Sequence, residues 1–92
     1  MRREIEHRLS FFETWLRNQR YSEKTIVTYV KAIKVFFLFF DSKLPEQITI
    51  SDFHSFNKDF IIKQGYSASY QNQVINAIKL FYLKIEQREL NI

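Results

Sequence analysis

The sequence predicts an all-α fold, a compact bundle of four helices with room for a fifth. Three observations carry that reading. Glycine and proline occur once each. Apolar residues do not alternate with polar ones between tight turns, as half-buried strands require. Long stretches of 3.6-residue periodicity are separated by short polar punctuation.

The first helix covers roughly residues 3 to 19, where Ile5, Leu9, Phe12, Trp15 and Leu16 recur at helical spacing. The second lies in YSEKTIVTYVKAIKVFFLFF: Ser22 caps it, Glu23 suits the positive end of its dipole, and it runs from Thr25 or just before it to Phe40. A loop with Pro45 follows. Thr49 or Ser51 then caps a third helix with Phe53, Phe56 and Phe60 on one face, and Glu46 and Asp52 near its start complement the dipole. Gly65 stops that helix, as a residue that takes positive φ at little cost. Ser67 or Ser69 begins a fourth helix reaching about Arg88, with Val74, Ile75, Ile78, Phe81, Tyr82 and Ile85 along its inner stripe. With no internal repeat, low-complexity tract or linker, residues 1–92 read as one domain.

Composition narrows the function classes. A chain of 92 residues that is 46 % apolar and 17 % aromatic builds one packed core without metal or disulfide staples. The absence of cysteine removes disulfide frameworks, thiolate zinc sites and cysteine nucleophiles together, and fits a reducing interior. His7 and His54 are far apart, on predicted helix surfaces, with no HExxH spacing, so neither a metal nor any other cofactor is expected. The longest apolar run, VFFLFF from Val35 to Phe40, is far below the ~20 residues that cross a bilayer, and Lys34 and Asp41 close it off. The charged start MRREIEHRLS lacks the apolar run of a secretory signal. A net charge of +4 leans toward polyanionic partners.

The outward faces sharpen this. Along the second helix Ile26, Tyr29, Val30, Ile33, Phe36, Phe37 and Phe40 share one side, while Lys24, Thr28, Lys31 and Lys34 lie opposite, followed by Val35, Leu38 and Phe39. The fourth helix repeats the design with Ser69, Asn72, Gln73, Asn76 and Lys79, then Leu80 and Leu83. Helix segments that are apolar all round are covered by other elements. The N-terminal halves are therefore expected to protrude and the C-terminal halves to be clasped, with burial of Leu38 and Phe39 within the molecule favoured and cover by a neighbouring protomer as the alternative. Two helix starts rich in backbone N–H groups and short polar side chains suit a phosphate backbone, and amides also bond base edges. The plain alternative is that Ser22 and Ser67 only cap and the stripes are solvated surface.

The stretches YSEKTIVTYVKAIKVFFLFF and ITISDFHSFNKDFIIKQGYSASYQNQVINAIKLFYLKI resemble the SAM-like, core-binding N-terminal domain of tyrosine recombinases, the phage-integrase family. The likeness runs from about Ile5 to Glu89 and is most specific at Ser22, Thr25 and Tyr29 and in the SASYQNQVINAIKLFY helix. It implies double-stranded DNA as partner, with no small-molecule substrate. The second and fourth helices would lie on the DNA, with a separate C-terminal catalytic domain closing a clamp from the other side. By position it implies DNA contacts from Lys24, Thr25 and Thr28 on the second helix and from Ser69, Tyr70, Asn72 and Gln73 on the fourth, with Lys31, Asn76 and Lys79 farther along the same faces. Gln73 and Val27 stand where relatives can be basic.

The resemblance also implies a cytoplasmic, nucleoid-associated protein of a mobile element that forms a homo-tetramer on DNA when full length, these 92 residues alone being monomeric or weakly associating. The family's arginine pair, lysine, histidines and nucleophilic tyrosine belong to the catalytic domain, so no catalytic residue is expected here. Tyr29 and Tyr82 fall on core stripes, and Tyr21, Tyr66 and Tyr70 near helix starts. Two rivals stand beside this reading: a helical protein-interaction domain with an apolar patch at Leu38, Phe39 and Leu83, and a stand-alone excisionase-like or decoy protein.

Overall fold

Residues 2–92 are described by a computed structural model. Helix α1 spans Arg3–Asn18, with Glu4 and Glu6 in its first turn complementing the dipole in place of a side-chain cap. It ends in a Schellman motif: the Tyr21 N–H reaches the Leu16 carbonyl at 3.2 Å and the Arg20 N–H the Arg17 carbonyl at 3.0 Å. Arg20 sits in the left-handed region at φ 64, where glycine is the usual occupant.

Helix α2 spans Glu23–Phe39, capped by Ser22 as expected. A 3-10 turn, Pro45–Gln47, leads into α3, Ile50–Phe56. Of the two cap candidates Thr49 holds the position: its side chain accepts from the Asp52 N–H while the Asp52 carboxylate accepts from the Thr49 N–H, both at 3.0 Å. Glu46 does not serve this helix. It pairs with Arg8 of α1 at 2.8 Å. Past Phe56 the chain widens into a π-helical turn, Asn57–Ile62, which brings Ile61 into the core while Phe60 stays at its margin. Gly65, at φ 76, closes it with a second Schellman motif, Tyr66 N–H to the Ile61 carbonyl at 3.2 Å and Gly65 N–H to the Ile62 carbonyl at 3.0 Å.

Helix α4, Ala68–Lys84, starts from Ser67 and stops short of the expected Arg88. No glycine or proline marks that end in the sequence. The chain turns at Gln87, φ 54, and folds back so that Leu90 is buried and Ile92 packs against the core. The described residues are all-helical with no strand, four helices around one core.

Helix α2 packs against both α1 and α4. Phe12 and Phe81 meet edge to face at 5.4 Å, Phe36 meets Phe37 at 5.1 Å, and the buried Tyr82 donates its hydroxyl to the Pro45 carbonyl at 2.8 Å. Tyr29, expected on the core stripe, is only half-buried. The expected clasping of the C-terminal halves does not occur. Val35 and Leu80 are partly covered, but Leu38 is 56 %, Phe39 41 % and Leu83 46 % exposed. Phe39 touches Phe40, Phe56 and Phe60 by their edges, and α1 lies along another side of α2. A bundle this small lacks the elements to surround both helix ends.

Candidate nucleic-acid interface

The starts of α2 and α4 are built alike. Each N-cap serine, Ser22 or Ser67, accepts a hydrogen bond from the backbone N–H three residues on, at Thr25 (3.2 Å) and Tyr70 (3.1 Å). The N–H groups of the positions before these lack an intrahelical partner and point out of the helix. The α2 start is further organised by the Ser22 hydroxyl donating to Thr25 Oγ1 at 2.9 Å and the Thr28 hydroxyl donating to the Lys24 carbonyl at 2.9 Å. Thr28 therefore has its proton committed to its own helix, whereas the Thr25 hydroxyl proton is free to donate.

Two tethers orient these starts. Arg17 of α1 reaches Glu23 at 2.6 Å and Glu13 at 3.3 Å. The guanidinium holds the Glu23 carboxyl below its ordinary range, so the one acidic group in the α2 first turn stays ionised and paired with Arg17. On the other side the Gln71 amide donates to Asn57 Oδ1 at 2.8 Å, joining α4 to the π-helical turn.

Between the helices runs a groove of about 440 Å³ whose walls bring together Thr28 and Lys31 from α2 with Tyr70 and Gln73 from α4. Ala32 and Val35 are its more buried apolar lining, and the exposed Val27 and Tyr66 stand at its rim. Lys24 is exposed and Thr25 half-buried at the head of α2, while Ser69 and Asn72 are exposed on α4 outside the groove. Asn76 and Lys79 line a different cavity of about 540 Å³, shared with Leu80, Leu83 and the returning tail Glu89–Ile92. The residues expected to contact one ligand thus divide into a groove set (Thr28, Lys31, Tyr70, Gln73), a tail-side pair (Asn76, Lys79) and four at the helix heads outside both cavities (Lys24, Thr25, Ser69, Asn72). Sequence reasoning missed Tyr66 and the tail. Tyr66 follows the helix-stopping Gly65 in sequence, and that adjacency was its only signal.

Charge and burial favour an anionic ligand. Among the described residues, Lys24, Lys31 and Lys79 form no ion pair, which they share with Arg3, Lys34, Lys58, Lys63 and Lys84, while Arg8, Arg17 and Lys43 are paired. Burial, then the neighbouring Tyr66, raises the Tyr70 phenol above its ordinary range, so it stays a neutral hydroxyl near neutral pH. No group of histidines, cysteines or carboxylates able to hold a metal occurs among the described residues, and no helix of the described residues is long and apolar enough to cross a membrane.

Comparison with known proteins adds one match. The family model for the phage integrase N-terminal SAM-like domain covers residues 8–92. Neither a curated protein nor a solved structure matches the chain. The helical order, the single core and the matched span agree, and the chain belongs to the phage integrase N-terminal SAM-like domain family.

Proposed function

We propose that this domain is the DNA-binding module of a site-specific tyrosine recombinase, holding core-site duplex DNA for strand exchange by a separate catalytic domain. The observation that carries the reading is the convergence of Thr28 and Lys31 with Tyr70 and Gln73 on one groove between two capped helix starts. Lys24, Ser69 and Asn72 extend that surface at the helix heads, and Lys79 and Asn76 flank it along α4. Unpaired lysines and free N–H groups position a phosphate backbone, and the amides of Asn72 and Gln73 are chemically suited to base edges. The family supplies the division of labour: this domain binds, and the chemistry resides elsewhere in the recombinase.

Duplex binding measured by fluorescence anisotropy over a salt series tests the proposal. The log–log slope should be negative and should flatten by about 2 to 3 when Lys24, Lys31 and Lys79 are all replaced by alanine, one increment per lost phosphate contact. Unaltered affinity and slope in that variant would contradict the assigned face.

A second reading is favoured by the exposure of Leu38, Phe39 and Leu83. In a protein-interaction domain these side chains would seat a partner, and association would be insensitive to salt. Replacing Leu38 and Leu83 by serine separates the readings: DNA affinity holds under the first, and partner binding is lost under the second.

A further inference from the structure

A column of aromatic rings leads from the core to the groove. Phe56 stacks on Phe60 at 5.2 Å with their planes 12° apart, Phe60 meets Tyr66 at 5.4 Å, and Tyr66 lies 4.5 Å from Tyr70 with a 30° tilt. The inner end, Phe56, is fully buried, whereas Tyr66 at the groove edge is 45 % exposed. Core packing accounts for the inner rings. It accounts for Tyr70 as well, but not for Tyr66, which lies outside the core yet is held against the tilted Tyr70 ring at the lip of a groove that also carries Lys31. A supported pair of rings has little side-chain freedom left to lose on binding, which makes it an efficient stacking platform.

We propose that this groove takes one unstacked nucleobase, extruded from a DNA duplex, against the Tyr66 and Tyr70 platform. Stacking explains the rings, since every base has a π-face and a base inside an intact duplex has already covered its own. The Gln73 amide supplies both a donor and an acceptor for the exposed base edge. Lys31, on the opposite wall and without an ion-pair partner, faces the attached phosphate. Val35 and the buried Ala32 add apolar lining. The single Lys31 charge suits a nucleotide better than an uncharged aromatic ligand. The inference rests on the DNA-binding reading and adds the kind of DNA that reading would prefer.

The test measures anisotropy of labelled oligonucleotides with the whole chain. One duplex carries a single extrahelical thymidine, a second an abasic residue at that position, and a third is fully paired; the single strand serves as competitor. The thymidine-bulged duplex should bind about tenfold more tightly than the other two, the effect expected of one base stacked on an aromatic platform. Tyr66→Ala should bring the bulged duplex down to the affinity of the abasic one, and Tyr66→Phe, which keeps the ring, should retain the preference. Equal binding of thymidine-bulged and abasic duplexes overturns the inference, as does a preference that survives Tyr66→Ala. A single strand competing as well as the bulged duplex overturns the duplex source of the base. Binding to the paired duplex without any bulge preference defeats this inference alone, whereas no duplex binding at low salt defeats the DNA-binding reading with it.

Discussion

Arg8 stands between two carboxylates that respond in opposite ways. It donates to Glu46 at 2.8 Å and lies 3.3 Å from Glu86. The hydrogen bond from Arg8 pulls the Glu46 carboxyl below its ordinary range, while burial pushes Glu86 above its own despite the same guanidinium. Asp52 is held low by Lys43 at 2.6 Å and by the Thr49 N–H. For Asp52 and Glu46 the lowered folded value means that their stabilisation is present above the ordinary carboxylate range and is lost as pH falls through it. For Glu86 the sign reverses: its contribution is present at low pH and is lost as pH rises through its raised folded value. Asp52→Ala should therefore cost about 1 kcal/mol at neutral pH and flatten the acid limb of a denaturation series. Glu86→Gln should lose nothing at neutral pH, since the charge it removes is disfavoured there. The two left-handed residues make a second pair. Arg20 holds φ 64 with a side chain and Gly65 holds φ 76 without one. Arg20→Gly should stabilise the fold, and Gly65→Ala should destabilise it by about 1 kcal/mol, or about 4–8 °C in Tm for a domain of this size.

At the scale of elements, the sequence states helix starts well and helix ends poorly. Ser22, Thr49 and Ser67 act through local hydrogen bonds within three residues, so sequence narrows each cap to one or two candidates. Gly65 is equally local. The end of α4 is not, because Lys84 is followed by residues with ordinary helix propensity and the stop depends on Leu90 finding the core. Burial of Leu38, Phe39 and Leu83 was likewise not decidable from periodicity, which says that a face is apolar but not whether another element reaches it. The shared groove was legible only as two outward faces, since the crossing of α2 and α4 is tertiary, and the split that sends Asn76 and Lys79 toward the tail was invisible. The bond from Tyr82 to the Pro45 carbonyl, 37 residues away, is a similar long-range fact. Tyr82→Phe should cost about 1 kcal/mol, the worth of one hydrogen bond, since the Pro45 carbonyl keeps the Ile48 N–H at 3.3 Å, measurable by chemical denaturation.

For the whole molecule, the α1 side and the α2–α4 groove side differ in how their charges are used. On α1, Arg8 and Arg17 are consumed by ion pairs. On the groove side, Lys24 and Lys31 are left without partners beside aromatic and amide groups. Among the described residues, lack of an ion-pair partner is shared with Arg3 of α1 and with Lys34, Lys58, Lys63 and Lys84, so what sets the groove side apart is that its lysine, Lys31, stands with the Gln73 amide and the Tyr66 and Tyr70 rings. Under the proposed function this is the face offered to a polyanion, whose counterions uncommitted cations replace. Whether DNA lies on this face is decided by an amide NMR titration of the domain with a duplex. Shift changes should concentrate at the starts of α2 and α4, including Lys24, Thr28, Lys31, Ser69, Asn72 and Gln73, while the amides around Arg8 and Phe11 on α1 stay fixed. Changes centred instead on Leu38, Phe39 and Leu83, or spread evenly over α1, would contradict that placement of the DNA.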